Sequence, residues 1–218
     1  MKKTYIIAGF VALLSACNSH SDHGGNNADT LNHAGHPETT AGTKDTTTGN
    51  PISKIMANMM QEMHHIRPTD INDIDFVRMM VMHHQGAVEM SKAELNAGTD
   101  SSLKAFAQTV INDQGKEISF MEDFVATAPK DPSPNAAGFQ KALQASMMAM
   151  MKETTLYNQV DKDYAAQMIP HHQSAVDMAK AYLAHGKTPV LVTLCNNIIS
   201  SQAKEISWLT AWLNKNKN

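Results

Sequence analysis

The sequence predicts an all-α fold, a four-helix bundle made of two duplicated antiparallel helical hairpins with two short methionine-rich helices added. Apolar residues recur at the spacing of helices from residue 51 onward, and no stretch of the sequence has the pattern of a strand. In addition, residues 79–90 return as residues 167–178, an offset of 88 residues that also relates the helices that follow. A duplicated helical unit joined by short turns is typical of a bundle.

Proline, glycine and capping residues predict where the helices begin and end. Gly98 takes the position of a C-cap glycine, Asp100 caps the next helix, and Thr188 caps the last helix with Pro189 at its first position. The expected helices span 52–66, 73–96 and 101–126, then 136–153, 161–185 and a last helix from 189. The bundle therefore covers 51–218, with repeats over about 51–128 and 135–216.

The first 17 residues have the features of an export signal and are excluded from the fold. Lys2 and Lys3 precede an apolar run over 5–14 that is too short for a normal membrane span. The sequence Leu-Ser-Ala-Cys that ends at Cys17 is similar to the lipobox of bacterial lipoproteins, in which the cysteine is acylated. We therefore expect lipidation at Cys17 and a lipid-anchored protein of the cell envelope, facing the periplasm or in the outer membrane. An ordinary cleaved signal is the alternative.

Composition limits the remaining possibilities. Residues 18–50 are rich in Asn, Thr, Gly and Ser, and we expect a flexible tether whose four histidines either capture metal weakly or serve as polar filler. Without Lys2 and Lys3 the chain has 16 basic and 21 acidic residues, which argues against nucleic acid as a partner. Cys195 is the only cysteine besides Cys17, so we expect no internal disulfide and a small buried side chain at Cys195.

The repeated motif places a pair of histidines on or beside the buried face of each long helix. In the first repeat this face carries Phe76, Met80, His83, Ala87 and Met90. In the second repeat it carries Tyr164, Met168, His171, Ala175 and Met178. The spacing of 4, 3, 4, 3 is that of a core seam, and His84 and His172 lie one position round from it.

The partner helices interrupt their own apolar seams with a glutamine and a glutamate. Counting along the hairpin at constant helical rise places Gln114 opposite His84 and Glu117 level with residues 80–83. The same count in the second hairpin gives Gln202 beside His172 and Glu205 near residues 168–171. These polar residues either form a buried layer that fixes helix register or support a metal site from behind the histidines.

Imidazole and thioether groups together favour soft metal ions, above all Cu(I). The sequence has 16 methionines, 15 of them in the mature chain. The candidate metal ligands are Met80, His83, His84, Met90, Met168, His171, His172 and Met178. The candidate supporting residues or additional ligands are Gln114, Glu117, Gln202 and Glu205. Zinc and iron are less favoured, because the methionines would then have no role.

The motif Met-x-x-His-His-x-x-Ala-Val-x-Met, followed by Gln-x-x-Glu-Ile, resembles that of the bacterial domain-of-unknown-function 305 family. The matching residues are 80–90 with 114–118, and 168–178 with 202–206. The resemblance implies a ferritin-like bundle, export or membrane tethering, and copper binding at the matching Met and His positions. Pro170, which replaces Met82 of the first copy, departs from the motif and should kink or loosen the turn before His171.

The sequence favours a binding protein over an enzyme, with sequestration or delivery of copper as its role. The expected partners are a metal ion and the membrane, while a homodimer is possible. A ferritin-like di-iron oxidoreductase is one alternative, but it needs two Glu-x-x-His pairs and only Glu62 and His65 have that spacing. A structural helical module with buried His-Gln-Glu layers is the other alternative.

Overall fold

The computed structural model describes residues 50–148, 150–151 and 154–216. The predicted signal, the lipidation site Cys17 and residues 18–49 of the predicted tether lie outside the described residues. The helices are α1 (Pro51–His65), α2 (Asn72–Ala97), α3 (Ser101–Thr127), α4 (Ala136–Met147), α5 (Val160–His185) and α6 (Pro189–Lys215). None of these helices combines the length and apolarity needed to cross a bilayer. The predicted all-α bundle of two hairpins with two short helices is confirmed.

Most helix ends agree with the sequence, and the short helix of the second repeat is the main exception. α4 was expected to reach residue 153 but ends at Met147, where the chain enters a series of tight turns. Past the helix end Met150 stays buried in the core, whereas Met148 and Met151 are each 58% exposed. By contrast, α5 runs through Pro170 without interruption.

The two motif helices lie at the centre of the bundle. α2 packs against α5, α3 packs against α2, and α6 packs against α5. α1 lies on α2 and also contacts α5, while α4 lies on α5 and also contacts α2. On α2, His84 contacts α3 and Gly86 faces α1. Gly86 follows His84 by two residues, which corresponds to about 200° of rotation, so α1 covers the face of α2 opposite α3.

The glycines that follow α2 and α5 are required by close packing, because their backbones are not left-handed. Gly98 has φ −69° and Gly186 has φ −103°, values that any residue can adopt. A Cβ atom at Gly98 would collide with the side chain of Glu94, and one at Gly186 would collide with the ring of Tyr182. Gly98 stands at the predicted C-cap position, and Gly186 occupies the equivalent position after α5.

Each hairpin turn is held by an aspartate of the other hairpin. Asp161 accepts hydrogen bonds from the backbone N–H groups of Thr99 and Asp100, at 2.8 and 3.0 Å. In the equivalent place, Asp73 accepts a 2.5 Å hydrogen bond from the hydroxyl of Thr188. Thr188 stands at the predicted N-cap, but its side chain does not cap α6 because it donates to Asp73 instead. These contacts fix the two hairpins against each other, and with them the register of α2 on α5.

Candidate metal centre

Four imidazole rings lie in a row across the interface of α2 and α5, and all four residues are 0% exposed. The centroids of the His83 and His171 rings are 3.7 Å apart, with 36° between the ring planes. His84 lies 6.2 Å from His83, and His172 lies 6.0 Å from His171. The expected inward direction of both histidine pairs is therefore what the structure shows.

The inner two rings each point their Nε2 atom at an oxygen of the other repeat. Nε2 of His171 lies 3.1 Å from the carbonyl oxygen of His83, and a carbonyl can only accept. Nε2 of His83 lies 2.6 Å from the hydroxyl of Ser174, which itself donates to the carbonyl oxygen of His171 at 2.9 Å. We therefore assign the proton to Nε2 in both rings, which leaves the lone pair on Nδ1.

The outer two rings point Nε2 at a glutamate of the partner helix. The distance from His84 Nε2 to Glu117 Oε2 is 2.7 Å, and the distance from His172 Nε2 to Glu205 Oε2 is 2.8 Å. The first pair has the geometry of a hydrogen bond, whereas the second is close but poorly aligned. A carboxylate behind an imidazole favours the tautomer with the proton on Nε2.

As a result, all four Nδ1 atoms are buried and have no hydrogen-bond partner in the part of the chain that the structure describes. Burial lowers the pKa of His83 and of His171 well below the ordinary value for histidine, and neighbouring histidines lower both further. The two inner rings are therefore neutral, which is the form that ligates metal ions. Unpaired buried lone pairs cost free energy in a protein interior.

The thioethers that the sequence singled out belong to the same core. The predicted ligands Met80, Met90, Met168 and Met178 are 0% exposed and lie in one cluster of buried residues. Within the described ranges, no group of three or more His, Cys, Asp or Glu side chains is arranged to hold a metal ion. A metal centre in this core would therefore need thioether sulfur beside imidazole nitrogen, a combination suited to soft ions.

Each glutamate contacts the residue just beyond the range expected for it. Glu117 was placed level with residues 80–83 and Gln114 opposite His84, yet Glu117 is the residue that contacts His84. In antiparallel helices every side chain leans toward the N-terminus of its own helix, and a count of backbone levels ignores that lean. Gln114 and Gln202 are 4% and 2% exposed, and their side-chain oxygens have no partner among the described residues.

One residue of the site was missed by the sequence interpretation. Ser174, which holds the Nε2 atom of His83, was not singled out, although it is the position where the second motif departs from Gly86 of the first. Glu62 and His65, the one pair with di-iron spacing, are both exposed on α1. Cys195 is a free, buried thiol as expected, and burial raises its pKa to about 12.

The chain matches one protein family by sequence and several solved structures by fold. The sequence profile of the domain of unknown function DUF305 matches residues 24–125 and 73–213. No curated protein matches the chain.

Among solved structures, silver-bound CopM is 30% identical, covers 67% of this chain and 97% of its own, and has a TM-score of 0.53. Cu(I)-bound CopM is also 30% identical, covers 66% of this chain and 96% of its own, and has a TM-score of 0.50. A DUF305 protein from Streptomyces coelicolor shares the fold at 24% identity, with 68% of this chain and 94% of that chain covered and a TM-score of 0.53.

The two profile matches overlap and together span most of the sequence, including both histidine pairs. The resemblance that the repeated motif suggested is thus confirmed over the whole bundle. The chain belongs to the DUF305 family.

Proposed function

We propose that the protein binds copper as Cu(I), through the buried histidines and methionines at the interface of α2 and α5. The observation that carries the proposal is the set of four buried Nδ1 atoms without partners, on rings whose Nε2 atoms face oxygen. Metal-binding histidines commonly donate their other N–H to a carboxylate or a carbonyl in this way. A bound ion would remove the cost of the unpaired lone pairs.

The surrounding core favours a soft ion. Thioether sulfur selects Cu(I), and Met80 and Met168 are fully buried one turn before the inner histidines. The related CopM has been solved in silver-bound, Cu(I)-bound and Cu(II)-bound forms, which supports a metal of this class. Zinc and iron remain less favoured, because neither would use the sulfur atoms.

The biological role we propose is sequestration or delivery of copper outside the cytoplasm. Its support is the export signal with the lipobox-like sequence before Cys17, which would anchor the bundle to a membrane of the cell envelope. No enzymatic activity is part of the proposal. Mass spectrometry of the protein purified from membranes tests the anchor, since acylation must appear on Cys17.

The test of metal binding is a competition titration of the purified protein with Cu(I) or Ag⁺ under anaerobic conditions. We expect tight binding that His83→Ala and His171→Ala each weaken. The matched control is the double variant His64→Ala/His65→Ala, which removes an adjacent histidine pair that is exposed on α1. Unchanged affinity and stoichiometry in both core variants would refute the proposal.

A second measurement separates metal binding from a purely structural histidine layer. Long-range ¹H–¹⁵N spectra distinguish the two ring nitrogens of each histidine. On loading with Ag⁺, the Nδ1 resonances of the buried rings should shift strongly while the protons on Nε2 are retained. A structural layer alone predicts no change at either nitrogen.

A further inference from the structure

A solvent-filled cleft lies between α3 and α6, directly outside the outer histidines. Its central part has a volume of about 280 Å³. The polar residues that line it include Gln114, Glu117, Asn197, Ser201, Gln202 and Glu205. The stacked rings of Phe106 and Trp208, with centroids 4.8 Å apart, join α3 to α6 beyond one end of this central part.

The two glutamates of the cleft lie between solvent and the outer histidines. The side chains of Glu117 and Glu205 are 24% and 22% exposed, and each has an oxygen within 2.8 Å of a fully buried ring nitrogen. Each carboxylate therefore faces solvent on one side and a histidine on the other. No other described residue forms an ion pair with a buried histidine.

The glutamines of the cleft add side-chain oxygen atoms that accept no hydrogen bond from the described residues. Gln114 and Gln202 are more than nine-tenths buried, line the cleft, and leave Oε1 without a hydrogen-bond partner among the residues described. These two oxygens line the same cleft as the carboxylates of Glu117 and Glu205. Carbonyl-type and carboxylate oxygens both hold cations, though weakly for a soft ion, so an ion would not be trapped there.

The charge of the cleft favours cations. Asp113 and Lys116, which also line it, form a 3.0 Å ion pair and offset each other. Glu117 and Glu205 then leave the cleft negative. A cleft with charge of one sign focuses the field and raises the association rate of oppositely charged ligands.

The opposite side of the histidine row is covered by α1 and α4. A second groove exists there, between α1 and α2, and it is lined by Met59, Met82, Glu62 and Glu89. However, Met59 packs so closely on Gly86 that even one added carbon atom would collide with its sulfur. This groove therefore ends against packed side chains, whereas the α3/α6 cleft ends at residues that touch the histidines.

We propose that metal ions reach the buried histidines from solvent, and leave them, through the cleft between α3 and α6, where Glu117 and Glu205 relay the ion to the outer rings. This inference rests on the proposed metal-binding function. The cleft lies outside the rings that would hold the ion. Blocking the cleft should therefore slow metal loading without changing the equilibrium affinity.

The experiment is stopped-flow loading of the purified protein with Ag⁺, alongside equilibrium titration. Ser201→Trp fills the cleft from an exposed position, and Asn197→Trp repeats the obstruction one turn away. Asn58→Trp is the matched control, since it places the same side chain in the α1/α2 groove from an exposed position. We expect each cleft variant to load about tenfold more slowly or worse, the scale of rate enhancement that a charged cleft provides.

The equilibrium affinity should be the same in all three variants, and Asn58→Trp should load at the wild-type rate. Equal loading rates in every variant would overturn the proposed path. Slow loading of Asn58→Trp with normal loading of both cleft variants would also overturn it, in favour of the α1/α2 groove. If the wild-type protein bound no Ag⁺ at equilibrium, the proposed function would itself fail, and the path with it.

Discussion

Each histidine of the row directs Nε2 at an oxygen and leaves Nδ1 without a partner among the described residues. The oxygen partners come from three different sources: a backbone carbonyl, a serine hydroxyl and two carboxylates. All of them lie on the Nε2 side, so the protein fixes which nitrogen stays free. A histidine that serves only packing is more stable when both ring nitrogens have hydrogen-bond partners. Four rings that all leave Nδ1 unpaired are therefore not explained by packing alone.

At this scale we predict the effect of Glu117→Gln. The amide can still accept the proton of His84 Nε2, but the negative charge that strengthens the ring as a ligand is lost. Loss of such a supporting carboxylate weakens metal binding by about 10- to 100-fold, which a competition titration with Ag⁺ will measure. Glu122→Gln, an exposed position on the same helix, is the control and should bind normally. Equal affinity in the two variants would contradict the role of Glu117.

At the scale of elements, α1 and α2 approach closely because Gly86 has no side chain. A Cβ atom there would overlap the sulfur and the γ-carbon of Met59. The second repeat has Ser174 at the equivalent position, and its hydroxyl is what joins the two repeats at His83. The small residue inside the motif thus serves helix packing in one copy and ring orientation in the other.

Gly86→Ala should therefore destabilise the bundle by about 1–3 kcal/mol, because overpacking forces α1 or Met59 to move. The control is Gly115→Ala on α3, where an added Cβ meets nothing within 4 Å. That change should stabilise α3 by up to about 1 kcal/mol, since alanine is the better helix former. Urea unfolding of both variants measures the difference. A neutral or stabilising Gly86→Ala would show that α1 is loosely attached.

The last turn of α2 contains a buried acid, Glu94, that makes stability depend on pH. Burial, and then the nearby carboxylate of Asp161, raise the pKa of Glu94 from 4.5 to about 8. The folded protein thus holds a proton that the unfolded chain releases between about pH 4.5 and pH 8, so the contribution of Glu94 to stability falls as pH rises through that window.

Glu94→Gln should remove this dependence, because an amide does not titrate in this range. We expect the stability of the variant relative to the wild type to increase from pH 5 to pH 8, as measured by urea unfolding at both values. Taking the difference between the two proteins cancels the opposite contribution of His83 and His171, whose pKa values are lowered in the folded state. A constant difference across the range would contradict the assignment.

For the whole molecule, the helix period and the 88-residue repeat predicted the six helices, their order and the two buried histidine pairs. The predictions that failed depend on side-chain direction and tertiary packing, which the helical period does not encode. The contact of Glu117 with His84 follows from the lean of side chains, which backbone counting does not include. The early end of α4 and the bond from Ser174 to His83 depend on tertiary packing. Residue spacing within one helix cannot predict such packing.

Metal binding should stabilise the whole bundle, because the unfolded chain no longer holds its rings and sulfur atoms together. An ion present at 100 times its Kd adds about 2.7 kcal/mol to the free energy of unfolding. For a protein of this size that corresponds to a rise in Tm of about 5–11 °C. We therefore expect chelator-treated protein to melt lower than protein loaded with Ag⁺, while Mg²⁺, which prefers oxygen ligands, leaves Tm unchanged. The double variant His83→Ala/His171→Ala should lose most of the shift, and a full shift in that variant would place the ion elsewhere in the chain.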